Sequence, residues 1–219
     1  PFSFYQGTGL ARREKPWTMA VISLSYDMNE KIIQPKLFDN GYVPATQGHE
    51  PFIPSWEIKR GTEGWSKQSQ TLRLKNGSII YFKSCEQKRG KFQAAEWDMV
   101  LFDEAPPYEI YKECAIRTGK GTKLYIRGAV TLLPPEGRVG GVSWLYTERI
   151  VPWKEGRLPH VHLIGASIYD NPHLDKGEIA RLEDVYPLGS VDRRIRLDGE
   201  WMPGFQGALA YPNFKREIH

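Results

Sequence analysis

Two adjacent carboxylates, Asp103 and Glu104, end the short apolar run Met99-Val100-Leu101-Phe102 and directly precede Ala105-Pro106-Pro107. An Asp-Glu pair in that setting suits hydrolysis of a nucleoside triphosphate, with the Asp holding hydrated Mg2+ and the Glu polarising the attacking water. The plain alternative is a strand end with two solvated acids. Context separates the two, because two apolar residues followed by Asp-Glu is a common string. A second group is basic: Lys88, Arg89 and Lys91 read by themselves as a solvated loop. His160 and His162 share a face if their segment is a strand, which is compatible with a metal, yet no Cys or third His is spaced to join them, so no metal site is expected there.

The elements that must hold these groups follow from pattern. Five or six apolar residues stopping at turn formers read as an internal strand of a parallel sheet, with both faces covered. Asp103 and Glu104 then sit at its carboxyl edge, where open α/β sheets bind ligands. Residues 18–25 read as another buried strand. A helix follows, with Asp27 as its cap, Glu30 as the third-position acid and Met28, Ile32, Ile33 and Leu37 on one face; Pro35 is expected to end or kink it. Residues 39–66 form a long connection with short strands at most. Asn76-Gly77 between the alternating runs 71–75 and 78–83 predicts a two-residue hairpin with both central positions at positive φ.

Beyond the double proline, Tyr108–Arg117 has helical composition and 122–133 is a β-rich run. Residues 137–141 form a glycine-bearing loop, 142–150 a short helix and 160–166 a further strand. The helix after Asp175 shows Glu178, Arg181 and Glu183 outward, with Ile179 and Leu182 beneath. Trp97 and Trp144 lie in apolar patterns and read as core rather than as stacking platforms for bases. Strands alternating with helices argue for an α/β fold with a mostly parallel sheet.

Composition narrows the function classes. A length of 219 residues is enough for a sizeable core in one or two domains. Lys+Arg 30 against Asp+Glu 26 gives a net charge of +4, which permits a nucleic-acid partner without requiring one. No apolar run approaches the roughly 20 residues of a membrane-spanning helix, and no signal peptide is visible. Cys85 and Cys114 make no disulfide framework, so a reducing compartment is the default. The chain begins at Pro1 rather than Met, as a piece of a longer reading frame would.

The ordered set Asn76-Gly77, Phe82-Lys83-Ser84-Cys85, Phe92-Gln93-Ala94-Ala95, Phe102-Asp103-Glu104-Ala105-Pro106, Thr131-Leu132-Leu133-Pro134, Trp144-Leu145-Tyr146, Asp170-Asn171-Pro172-His173-Leu174, Leu197-Asp198-Gly199-Glu200 and Tyr211-Pro212-Asn213-Phe214 resembles the large subunit of tailed-phage terminases. The resemblance implies an ATP-driven motor that packages viral DNA. The implied fold is RecA-like, of the P-loop NTPase type: a mostly parallel sheet flanked by helices, with an added β-hairpin. On that basis Asp103 and Glu104 resemble the Walker B pair, with Asp103 meeting Mg2+ through water. Thr131 resembles the coupling motif, although Leu132-Leu133-Pro134-Pro135 departs from the family's shorter spacing. The family's trans-acting arginine lies shortly before the Walker B strand, which makes Arg89 the candidate finger.

No G-x-x-x-x-G-K-[ST] stretch occurs, and Gly7-Thr8-Gly9-Leu10 has neither the Lys nor the spacing. The family's phosphate loop lies upstream of the strand at Val21. The chain therefore resembles a terminase's middle: a polar segment at 1–17, a partial ATPase domain at 18–196 and a linker towards a nuclease domain at 197–219. This piece alone is expected to lack turnover. The implied cofactors are ATP and Mg2+. The implied partners are double-stranded DNA, the portal protein, the terminase small subunit and further copies in a ring on the procapsid, all in the host bacterial cytoplasm and without a membrane. The alternative is a non-hydrolysing DNA- or capsid-binding module of the same fold. A helicase-like ATPase would share Walker B but is not expected to carry both Asp170-Asn171-Pro172 and Leu197-Asp198-Gly199-Glu200.

Overall fold

The computed structural model describes residues 16–41, 50–87, 89–92, 96–117, 125–129 and 143–202. They belong to two compact units, residues 1–130 and 131–219. In the first unit the strands are β1 (Thr18–Ser23), β2 (Trp65–Ser66), β3 (Thr71–Arg73), β4 (Ile79–Ser84), β5 (Met99–Asp103) and β6 (Tyr125–Ala129). They form one sheet in the order β2-β3-β4-β1-β5-β6. β1 lies parallel between β4 and β5, and β6 runs parallel to β5, whereas β2 and β3 are antiparallel additions beside β4. The parallel sheet and the added hairpin are both as the sequence predicts.

Alternation along the strands divides the core between the two faces of this sheet. Met19 and Val21 of β1 join Leu37, Phe38, Leu72, Ile80 and Phe82 on one side, while Ala20 and Ile22 join Phe92, Trp97, Val100, Phe102, Ile110 and Cys114 on the other. The central strands are apolar throughout because neither face meets water; each buried Ile, Val or Phe there contributes about 1.5–3 kcal/mol. Phe38 contacts Trp65 and Phe82, with ring centroids 4.8 and 5.6 Å away, and so fastens the first helix to the hairpin side.

That helix, α1, begins on Ser25, whose Oγ accepts from the Met28 N–H at 3.2 Å. Asp27 is not the cap; it pairs with Lys31 one turn on, at 2.6 Å. Nor does Pro35 end the helix. α1 runs as α over Tyr26–Met28, as π over Asn29–Ile33 and as α again over Gln34–Leu37. The Gln34 N–H reaches back five residues to the Asn29 carbonyl, and this widened turn clears the space where the proline ring would strike the preceding turn. The extra residue also rotates the inner face. Ile32 is left 46% exposed, and Asn29 and Gln34 are buried in its place. Asn29 Nδ2 donates to the Lys83 carbonyl at 2.9 Å, and Gln34 Nε2 to Gln70 Oε1 at 2.8 Å.

The hairpin also differs in detail. Leu74 N–H bonds the Ser78 carbonyl and Gly77 N–H bonds the Leu74 carbonyl, which makes Lys75-Asn76-Gly77 a three-residue loop. Only Gly77 has positive φ, at 88°. The Asn76 side chain instead accepts from the Ser78 N–H at 2.9 Å, so the dipeptide marks the right turn but a different turn type. Helix α2 (Tyr108–Arg117) matches its predicted range and buries Ile110, Glu113 and Cys114. Glu113 is tolerated there because Arg117 lies 3.2 Å from its carboxylate.

The second unit holds α3, which is π over Tyr146–Ile150 and α over Val151–Lys154, then α4 (Lys176–Val185) and α5 (Val191–Arg196). Pro152 follows a π turn just as Pro35 does, and the helix continues beyond Ile150. Ile150 and Ile195 centre a small core with Leu145, Tyr146, Leu163, Val191, Trp201 and Met202. His160 lies in a turn, closed by the Val161 N–H on the Leu158 carbonyl at 3.1 Å, and residues 161–166 have no regular secondary structure, so the predicted strand is absent; Leu163 is held by this core instead of by a ladder. Glu183 is not part of an outer charged face. It accepts from Arg193 at 2.7 Å and from the Tyr169 hydroxyl at 2.8 Å, bonds that hold its carboxyl below the usual range.

Gly199 has φ 68°, and a Cβ there would lie 2.0 Å from the Ala166 carbonyl oxygen. The Ile168 N–H bonds the Leu197 carbonyl beside it, at 2.8 Å. Gly199→Ala is therefore expected to destabilise the second unit by at least about 2 kcal/mol, combining left-handed strain with a backbone collision. Urea unfolding followed by tryptophan fluorescence measures this; a change within about 0.5 kcal/mol, the scale of an ordinary surface substitution, would contradict it.

Candidate functional site

The strand register assembles the carboxyl edge of the sheet. Ser23 pairs with Ser84, Ile22 with Phe102 and Asp103 with Ala129, so Ser84, Ser23, Asp103 and Ala129 end their strands side by side. Glu104 follows with φ 70°, a left-handed backbone that is costly for a side chain with a Cβ. Such strain persists where the surroundings enforce it, and it aims the Glu104 side chain along a path that a regular strand end would not. The double proline then turns the chain into α2, where the N–H groups of Ile110 and Tyr111 bond the Pro107 carbonyl at 3.0 and 3.1 Å.

Asp103 is half-buried, and among the described residues its carboxylate makes no hydrogen bond or ion pair. Burial raises its pKa above the ordinary 3.8, with Lys36 pulling the other way. A hard, hydrated cation fits such a group, since it would supply the missing charge and oxygen partners. The stability consequence has a definite sign. A folded-state pKa above the unfolded one means that folding is most favoured with the proton on, and that stability is lost as pH rises from about 3.8 through the folded value. Asp103→Asn is expected to raise Tm at neutral pH, with the gain vanishing well below pH 3.8. Thermal melts at several pH values, without divalent ions, check this; a Tm lowered at pH 7 would refute the desolvation argument.

The corner between β1 and α1 is closed by the protein's own acid. Glu86 Oε2 accepts from the Tyr26 N–H at 3.0 Å and from Ser84 Oγ at 3.1 Å, which fills the start of α1 with a carboxylate. Burial, with Glu86 adding to it, raises the Tyr26 phenol pKa. An anion therefore finds no vacancy at this helix start. Sequence reasoning missed Glu86, Lys36 and the two edge serines. A serine ending each of two apolar runs, at Ser23 and Ser84, was the signal available.

The structure brings Asp103 and Glu104 together at this edge. Thr131 lies outside the described residues, as does Lys88. The Arg89 backbone enters a 3-10 turn, Arg89–Phe92, but its side chain lies outside the described part. The segment folds back on the sheet: Lys83 Nζ donates to the Lys91 carbonyl at 3.1 Å and lies 5.4 Å from the centre of the Phe92 ring. Trp97 is buried as expected. His160 and His162 are exposed, and no cluster of three metal-ligating side chains occurs among the described residues.

Comparison with known proteins extends this picture. The family described as terminase large subunit, T4likevirus-type, N-terminal, matches residues 9–217. The terminase large subunit of Salmonella phage P22 is 30% identical over 120 residues, covering 54% of this chain and 22% of that protein. The large terminase of a thermophilic bacteriophage, solved in complex with ADP, has the same fold: TM-score 0.58 at 17% identity, covering 94% of this chain and 45% of that one. The same phage's large terminase in complex with ATP-gamma-S gives 0.54 at 16%, covering 90% and 42%. The chain thus spans less than half the length of these relatives. With the family matched from residue 9 to residue 217, and the sheet that ends in Asp103 shared with solved large terminases in fold, this chain belongs to the terminase large subunit family.

Proposed function

We propose that this chain is the ATPase part of a packaging motor, coupling ATP hydrolysis to the movement of viral double-stranded DNA into a procapsid. The observation that supports it most is the pair at the end of β5: a half-buried Asp103 whose carboxylate makes no hydrogen bond or ion pair among the described residues, followed by Glu104 in a left-handed backbone. The thermophilic phage's large terminases solved with ADP and ATP-gamma-S support a nucleotide at this fold. In this reading Asp103 would hold Mg2+ through water, and Glu104 orients the attacking water and takes its proton. When bound there, the metal would supply neutralisation of the charge developing on the phosphate oxygens. Thr131, two residues beyond the end of β6, senses the γ-phosphate side and couples it to the rest of the fold. Arg89 acts on a neighbouring subunit's nucleotide. The partners are the portal protein, the small subunit and further copies in a ring.

Phosphate release by the full-length protein with Mg2+ and ATP, measured with and without duplex DNA, tests this function. DNA-stimulated release is the expected result. Nucleotide binding without release would replace the motor with the non-hydrolysing module.

A further inference from the structure

The hairpin side of the sheet carries a cationic face that the carboxylate site does not use. Ile58 bridges to Leu74 in antiparallel register, and both turn into the core. The Lys59 N–H bonds the Arg73 carbonyl at 3.1 Å and the Lys75 N–H bonds the Glu57 carbonyl at 2.8 Å. Alternation then sends Lys59, Arg73, Lys75 and Glu57 to the opposite face. Lys59 stands directly across from Arg73. Like charges set opposite each other destabilise an antiparallel pair, so the arrangement works against the fold that holds it. Glu57 does not relieve it: among the described residues, none of Lys59, Arg60, Arg73 and Lys75 makes an ion pair. Lys59, Arg60 and Lys75 are exposed, and Trp56 is 66% exposed in the turn leading into the segment.

We propose that this face, built by Lys59, Arg73 and Lys75 with Arg60 at its end, binds the phosphodiester backbone of a nucleic-acid duplex without reading sequence. The complementarity is of charge and of spacing. Residues two apart on a strand are about 6.8 Å apart and cross-strand neighbours about 5 Å, so Lys59, Arg73 and Lys75 take three corners of a patch, with Glu57 across from Lys75 at the fourth, and the cations are spread at spacings comparable to successive phosphates along one strand and do not converge on a point. A single carboxylate or phosphate ligand would need convergent donors, whereas side chains standing parallel off an open sheet suit a linear polyanion. Trp56, next to Glu57 in the chain, serves as an optical reporter.

The test is fluorescence anisotropy of a labelled duplex of mixed sequence with the full-length protein, without nucleotide, over a range of salt concentrations. It therefore stands or falls independently of ATP turnover. Lys59→Ala/Lys75→Ala is expected to weaken binding by roughly tenfold or more and to lower the slope of log affinity against log salt by about 0.9 per lost contact. The control Lys154→Ala/Lys176→Ala has the same net charge and should bind as the unmodified protein does. DNA-induced change in emission should be smaller in Trp56→Phe. Unchanged affinity and slope in the first double variant would overturn the proposal, and so would an equal loss in the control. Displacement of the duplex by polyglutamate at the same charge concentration would assign the face to an acidic protein and equally overturn it.

Discussion

Glu104→Gln in the full-length protein is expected to lower ATP turnover by at least ~100-fold while nucleotide affinity stays close to that of the unmodified protein. Glutamine keeps the length and shape of the side chain and the same strained backbone, so the change removes a proton acceptor and little else. If the water is positioned by this carboxylate, the loss falls on the chemical step alone. Asp103→Asn should behave differently. It removes the charge that would face Mg2+ in the proposed function, and Mg2+-dependent nucleotide affinity is expected to fall along with turnover. Equilibrium binding with and without Mg2+ separates the two, and an equal loss of affinity in both variants would show that the roles are wrongly assigned. The same Asp103→Asn protein is expected to melt at a higher temperature at pH 7, because a desolvated charge has gone. A residue that weakens the fold while serving the reaction has this pair of signatures.

Arg89→Ala is expected to abolish DNA-stimulated turnover in the assembled motor, with ATP binding by the isolated subunit unchanged. A solvated surface arginine contributes a few tenths of a kcal/mol at most, whereas an arginine finger contributes about 10³-fold or more in rate. The backbone at Arg89 leaves the carboxyl end of β4, an internal strand next to β1, on the same edge as Asp103. Mixing inactive Arg89→Ala with inactive Glu104→Gln subunits distinguishes a cis from a trans role. Some junctions in a mixed ring then have an intact Glu104 on one side and an intact Arg89 on the other, and activity should partly return. No recovery in rings shown to be mixed, with both variants still binding nucleotide, would refute action across the interface and direct attention to Lys88 and Lys91.

Much of the first unit was legible because its signals are local and strong. The apolar runs at β1 and β5 read as internal strands and are so, and the double proline with Tyr108–Arg117 gave α2 to the residue. The pair at Asp103 and Glu104 was placed at the right edge for the same reason. The errors arose where tertiary geometry overrides a local rule. Pro35 is a helix breaker in any regular helix, and sequence carries no sign of the wider turn that admits it. Asn76-Gly77 marks a turn but not which residue takes the left-handed position. The segment at 160–166 has a strand's alternation, yet a ladder needs a neighbour, and periodicity does not say whether one exists. The left-handed φ of Glu104 was invisible for a related reason: it arises from how β5 meets the prolines and α2, not from the residue itself.

The π turns before Pro35 and Pro152 bear on how this chain should be lined up against distant relatives. Each is in effect a one-residue insertion absorbed within a helix. A relative with a regular α-helix at the same place would be one residue shorter there, and its inward-facing positions would shift by one relative to Asn29 and Gln34. At identities of 16–17%, an alignment that permits gaps only in loops would slip across both helices and pair buried positions with exposed ones. Gaps belong inside 29–33 and 146–150 whenever the relative lacks the proline that follows. A shortened α1 would also need its proline replaced, so the deletion and the substitution should occur together in relatives rather than singly.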